Sequence, residues 1–300
     1  MDLHLAQLNI ATLRQPLEHA DTAPFADALD PVNAAGEAAP GFVWRFQTED
    51  GNATSVQPFA DPLTIVNLTV WQSVQSLRDF AYRGMHRDFF RRRAEWFQPG
   101  SETALWWVVA GTVPTIDEAV HRLEFLRRHG SSPYAFEMGR QFPPLAVLRR
   151  ELDHPDAKAL IARLDAELLA ATPPGGTNFF HIAPEHVEDG AGAFYVAYLD
   201  GVPRAIGAYR AIAGAEGAAE VKRMWSDHDV RGSKVGAAVL ATIEAAAVAD
   251  GCTELRLETG EYLTAAVGLY RRYGFEACEP WGEYVGVPLS YTMCKPLARR

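Results

Sequence analysis

Short apolar runs of strand length alternate with longer stretches of helical spacing along nearly the whole chain. His4–Leu13, Gly41–Gln47, Leu63–Trp71 and Leu105–Val113 read as four strands in the first half. Between them, Pro24–Ala35 has weak helical character and Ser76–Phe97 strong helical character. Pro114 and Thr115 open an amphipathic helix that runs to Arg128, and Gly130 closes it. Phe142, Pro143 and Pro144 then break the pattern, which places a domain boundary at 142/143 and divides the chain into 1–142 and 143–300.

Beyond that break, Leu145–Glu151 reads as a strand and Asp156–Ala171 as a helix with Leu160, Leu164, Leu168 and Leu169 on one face. Thr172–Thr177 stops the helix, and Asn178–Gly192 is loop-like. Ala193–Leu199 and Arg204–Ile212 form a hairpin turned at Asp200 and Gly201. Glu220–Trp225 and Glu254–Glu258 are further strands with a helix between them, and Thr264–Tyr273 is a short helix. Phe275–Cys278 and Ser290–Lys295 close the pattern around a loop at Pro280–Pro288. In the first half the order β-α-β-β-α-β is the ferredoxin-like arrangement. Helices on one face of such a sheet leave the other bare, which leaves room for a homodimer through the N-terminal domain.

Glu220–Leu240 (EVKRMWSDHDVRGSKVGAAVL) concentrates the chemistry. A strand ends at Met224, Trp225 and Ser226, and a small-residue helix starts at Val235, Gly236 and Ala237. The turn between them holds Arg231, Gly232, Ser233 and Lys234. Strand, tight loop and helix start together offer unpaired N–H groups and a positive dipole end to a phosphate. Neither G-x-G-x-x-G nor the P-loop pattern occurs.

Charge and composition narrow the partners. A net charge of −10 and a pI near 5.4 argue against general nucleic-acid binding and suit a small cationic substrate. Cys252, Cys278 and Cys294 are sparse and odd in number, which fits a reducing, cytoplasmic setting. The opening MDLHLAQLNIATL has no basic segment and no long apolar core, so neither a signal peptide nor a membrane span is expected. No H-x-x-x-H or H-E-x-x-H spacing supports a metal.

Arg231–Gly236 resembles the [R/Q]-x-x-G-x-[G/A] diphosphate loop of the GCN5-related N-acetyltransferases (GNAT), with Lys234 in place of the middle glycine. KRMW at Lys222–Trp225, LETG at Leu257–Gly260 and AAVGLYRRYGF at Ala265–Phe275 resemble further motifs of that family, in family order. The first half resembles dimeric α/β-barrel proteins, the group with the antibiotic-biosynthesis monooxygenases. Within that group Tyr82–Phe97 resembles a bacterial domain of unknown function. The expected fold class is therefore α+β: a ferredoxin-like, dimeric α/β-barrel-type domain followed by a GNAT mixed-sheet α/β domain.

The GNAT resemblance implies acetyl-CoA as cosubstrate and an amine as acceptor, which could be a small amine or amino acid, an aminoglycoside-like compound or a protein amine; the acidic balance favours a small cationic molecule, and no metal is expected. Its pantetheine arm would follow Met224, Trp225 and Ser226, and its diphosphate the loop Arg231, Gly232, Ser233, Lys234, Val235, Gly236 and Ala237. Direct attack needs a neutral amine, hence a base; Glu220 is the first candidate and Glu258 the second, with ion pairs to Lys222 or Arg256 as the structural alternative. Tyr270 matches the family's general-acid tyrosine. Leu263 stands where the family often has an asparagine that contacts pantetheine, which puts that contact in doubt. Two alternatives remain: a non-catalytic CoA- or ligand-binding module, and a monooxygenase-like activity of the first domain built on His86 with Trp71, Trp106 and Trp107.

Overall fold

The computed structural model describes residues 1–297, apart from the side chains of residues 84–86 and 88, so the reading of His86 lies outside the described residues. The chain forms two compact units, Met1–Ala146 and a second that begins at Val147. No helix among the described residues is long and apolar enough to cross a membrane.

The first unit runs β1 (Leu3–Thr12), α1 (Ala23–Ala26), α2 (Leu29–Glu37), β2 (Phe42–Arg45), β3 (Thr64–Trp71), α3 (Val74–Tyr82), α4 (Gly84–Arg92), β4 (Glu102–Val109) and α5 (Ile116–His129). The sheet has the order β2-β3-β1-β4 and is antiparallel throughout. The caps of α5 follow the sequence signals: Thr115 accepts from Glu118 N–H at 3.1 Å, and Gly130 takes φ 67°.

The single helix expected over Ser76–Phe97 is instead two. Arg83 is extended (φ −123°, ψ 164°), and α4 restarts at Gly84, the residue with the least helical preference in the run. The tryptophans also divide. Register puts Trp71 opposite Leu5, and Leu5 opposite Trp107, on one face; Trp106, opposite Ala6, lies on the other. There the guanidinium of Arg122 on α5 lies 5.9 Å from the Trp106 ring. Adjacent strand residues cannot share a face, so Trp71, Trp106 and Trp107 do not line one pocket. Ala6, Leu8, Leu68, Val70 and Trp106 are buried within the chain, so the reason for expecting a second copy, a bare sheet face, is absent.

The second unit begins within β5 (Leu145–Arg149) and continues α6 (Pro155–Ala171), β6 (Gly192–Leu199), β7 (Val202–Ala211), β8 (Ala218–Ser226), α7 (Val235–Ala249), β9 (Glu254–Gly260), α8 (Thr264–Arg272), β10 (Glu276–Ala277) and β11 (Ser290–Pro296). Its sheet has the order β10-β11-β9-β8-β7-β6-β5. Ala157, Leu160 and Leu164 of α6 pack on Phe194, Val196 and Ile206. The alanine-rich α7 approaches the sheet closely: a Cβ on Gly207 would fall 2.7 Å from Val239 Cγ1 and 2.4 Å from Met224 Sδ.

Two irregularities shape the site. Opposite Gly207, β8 carries a bulge, where Arg223 takes φ 59°. That conformation costs about 1–3 kcal/mol in a non-glycine residue. An ion pair from Arg223 to Asp165 of α6 holds it. Strands β8 and β9 pair in parallel at Ala218↔Glu254 through Val221↔Leu257 and then part, although both continue.

Candidate active site

Where β8 and β9 part, a cavity of about 120 Å³ opens, lined among others by Glu220, Lys222, Glu258, Tyr270 and Tyr284. The three side chains expected to carry chemistry, Glu220, Glu258 and Tyr270, thus come from two strands and α8 to one space. Beyond Val221, β8 has β7 on one edge and, among the described residues, no strand on the other, so alternate peptide groups within Lys222–Ser226 lack a strand partner there.

The two carboxylates have different surroundings. Glu220 is 2% exposed; it accepts from Arg210 Nε at 2.7 Å, from Lys222 Nζ at 3.5 Å and from the Tyr284 hydroxyl. Both of its oxygens are thus committed to buried ion pairs. Glu258 accepts one hydrogen bond, from Ser290 Oγ at 2.9 Å. Burial raises its pKa above the ordinary carboxylate value, against a smaller lowering by Ser290. Burial likewise lowers the Lys222 pKa, while Glu220 opposes that shift.

Tyr270 projects from α8 into the cavity, its ring 5.7 Å from that of Phe275. Burial, aided by the Glu258 charge, pushes its pKa well up, so the phenol keeps its proton. Tyr284 belongs to the loop at Pro280–Pro288 and is edge-on to Phe179 and Trp281. Its link to Glu220 and Lys222 was not legible in the sequence, because 64 residues separate Tyr284 from Glu220. His186 and His181 pack on each other outside this cavity.

The loop before α7 keeps part of the expected arrangement. Lys234 caps the helix at φ 68°, so this lysine occupies a left-handed position of the kind that favours glycine. The first turn-closing bond of α7 runs from Ala238 N–H to the Lys234 carbonyl, which leaves the amides of Val235, Gly236 and Ala237 without intrahelical acceptors. A Cβ on Gly232 would meet nothing within 4 Å, and one on Gly236 only Ser226 Oγ at 3.9 Å.

Two expectations for this loop change. The Ser233 N–H is used within the turn, on the Val230 carbonyl. Arg231 is turned to Glu167 of α6, with both carboxylate oxygens 2.7 Å from its terminal nitrogen. Much of its charge is therefore already neutralised. Glu167 also accepts from Trp225 Nε1 at 2.7 Å, which ties the end of β8 to the same helix.

Asp227, between β8 and the loop, is a third link to α6. It is 5% exposed and accepts from Arg163 at 2.7 Å and from Arg204 at 3.0 Å. Burial alone would raise its pKa; the two arginines outweigh that and lower it below 3.8. Asp227→Ala is expected to destabilise the fold by about 1–3 kcal/mol in a denaturant titration near neutral pH. A group with a lowered folded-state pKa contributes stability above its unfolded value and loses it as pH falls through the folded one. The difference between wild type and variant should therefore vanish in strong acid, and a difference that persisted there would rule out the charge as its source.

Two families match the chain, and their matches overlap over residues 146–168. The family described as "Domain of unknown function (DUF3291)" matches residues 4–168, more than half of the chain, and the "Acetyltransferase (GNAT) family" matches 146–275. An "IAA acetyltransferase" from Azospirillum brasilense is 44% identical over 81 residues, 27% of this chain and 53% of that protein. The chain thus spans about half the length of that curated relative. Among solved structures, a candidate acyl-CoA N-acyltransferase from Klebsiella pneumoniae is 30% identical with a TM-score of 0.44, covering 51% of this chain and 98% of that one. A GNAT-family acetyltransferase from Staphylococcus aureus is 14% identical with a TM-score of 0.42, covering 51% and 100%. The chain belongs to the DUF3291 family of domains of unknown function, and its second half is an acetyltransferase domain of the GNAT family.

Proposed function

We propose that the second unit transfers an acetyl group from acetyl-CoA to a primary amine of a small, cationic acceptor by direct attack, in a cytosolic protein whose residues 1–142 form a separate domain. The observation that carries this reading is the parting of β8 from β9 with Glu220, Glu258 and Tyr270 around the opening. An extended pantetheine arm fits the free edge of β8 at Met224–Ser226 as an added strand would. The diphosphate fits the amides of Gly232, Val235, Gly236 and Ala237, with the charge of Lys234 beside them. Leu263 lines the cavity and offers no side-chain hydrogen bond to the arm.

Acetyl-CoA supplies the acyl group as a thioester. The acceptor arrives as an ammonium, without a lone pair to attack with. Glu258 takes one proton from it, since burial raises its pKa and its hydrogen bond from Ser290 leaves it outside the ion pairs that hold Glu220. Glu220 instead holds Lys222 and Tyr284 in place at the acceptor end. The second proton lost by the nitrogen ends on the departing sulfur, to which the Tyr270 hydroxyl donates a hydrogen bond as charge develops. Phe179, Tyr262 and Tyr284 give the acceptor end aromatic walls that suit a cation.

The test is purified protein with acetyl-CoA, a panel of primary amines and a thiol reagent. Amine-dependent thiol release is expected. CoA binding with no release across the panel would reverse the reading in favour of a non-catalytic module. Gly236→Ala separates fold from cofactor: the added methyl has room in the folded chain, and Ala is the better helix former by about 0.5–1 kcal/mol. The variant is expected to unfold at higher temperature yet bind CoA at least about tenfold more weakly by calorimetry. Unchanged CoA affinity would place the diphosphate elsewhere.

A further inference from the structure

The first unit holds a cavity of about 720 Å³ that plays no part in the acetyl transfer above. We propose that it is a binding site for a flat apolar molecule carrying an acidic group, an aromatic carboxylate in the simplest case. The volume falls within the range of small-ligand pockets, roughly 300–1,000 Å³.

The floor is the sheet face that carries Ile65, Asn67, Thr69 and Trp71 of β3 with Asn9 and Ala11 of β1. Asn9 and Asn67 are directly opposite in register, so two amide side chains lie together on a floor otherwise rich in carbon. The roof and walls are α1, α2, α4 and the turn after it. Trp71 is stacked on Phe80 at 5.2 Å and meets Phe42 edge-on at 5.3 Å; Phe25 meets Phe97 edge-on at 4.9 Å. Rings fixed in this way offer flat faces and edges to another ring. Left empty, such a space would deprive its walls of dispersion contacts that a ligand restores.

The charge of the lining gives the second half of the class. The chain has 38 acidic residues against 28 lysines and arginines, yet among the described residues that line this cavity there are four arginines and no Asp or Glu. Arg45 is already paired, through Nε to Glu37 at 2.7 Å. Arg14 and Arg93 are fixed by backbone carbonyls. Arg14 Nε donates to Ala94 and Phe97, and one terminal nitrogen of Arg93 donates to Phe90, over whose ring the guanidinium lies at 4.2 Å. Oriented guanidinium groups at an aromatic cavity, with no carboxylate among the described residues of its wall, select an anion.

The test is calorimetric titration of the full chain with naphthalene-1-acetate and with its neutral counterpart 2-(1-naphthyl)ethanol. We expect one site per chain, with the acid bound at least about tenfold more tightly than the alcohol. Val32→Trp, which fills the cavity from α2, should abolish binding of both. Arg14→Gln, at an exposed position, should lower the affinity for the acid several-fold and leave the alcohol unchanged; it carries the test if Val32→Trp fails to fold by circular dichroism. Absence of binding by both compounds, equal affinity for the two, or binding indifferent to Arg14→Gln would each overturn the proposal.

Discussion

Glu258→Gln is expected to lower kcat/KM for the amine by about 10²–10⁴, the range for loss of a general base, with CoA affinity unchanged. The pH profile should change with it. Burial raises the Glu258 pKa, so the wild-type rate should fall on acidification at a pH above the ordinary carboxylate range, because protonated Glu258 cannot accept a proton. The variant should lack that acidic limb. Glu220→Gln provides the contrast. It weakens the buried pair with Arg210 and leaves Lys222 only the half-exposed Glu283 carboxylate at 3.9 Å, so a stability loss of about 1–3 kcal/mol should dominate. If Glu220→Gln removed the acidic limb while Glu258→Gln retained it, the roles of the two would be exchanged.

Tyr270→Phe should lower kcat by about 10²–10³, the usual effect of removing one donor to a developing negative charge. The KM for acetyl-CoA should change little, because the hydroxyl acts on sulfur only as charge appears there. The phenylalanine keeps the ring against Phe275, so thermal unfolding should stay within a degree or two of wild type. A kcat within threefold of wild type would reduce Tyr270 to a packing residue.

Much of this site is legible in the sequence because it is local. Gly232 and Gly236 around a helix start, and Tyr270 in AAVGLYRRYGF, are recognisable from their neighbours within a turn or two. The α5 caps at Thr115 and Gly130 are of the same kind. The break at Arg83 is local too, yet the apolar spacing on both sides of it, Phe80 and then Phe89 and Phe90, continues as if one helix ran through.

Partners from distant segments escape such a reading. Arg231 belongs to the diphosphate loop by motif, but α6 brings Glu167 to it across 64 residues. Glu220 and Glu258 are similar carboxylates near strand ends by sequence. Arg210, Lys222 and Tyr284 occupy one of them and Ser290 makes a single bond to the other, a difference on which the proposed choice of base rests.

The order of the strands, the class of each domain and the glycine-bearing loop before α7 were determined by sequence alone, since backbone sterics and apolar period act over a few residues. Tertiary structure decided which carboxylate remains available, where the charge of Arg231 goes, which face each tryptophan takes and that an arginine-lined cavity exists in the first unit. Those outcomes depend on burial and on ion pairs between segments far apart in the chain, whose strength is set by packing.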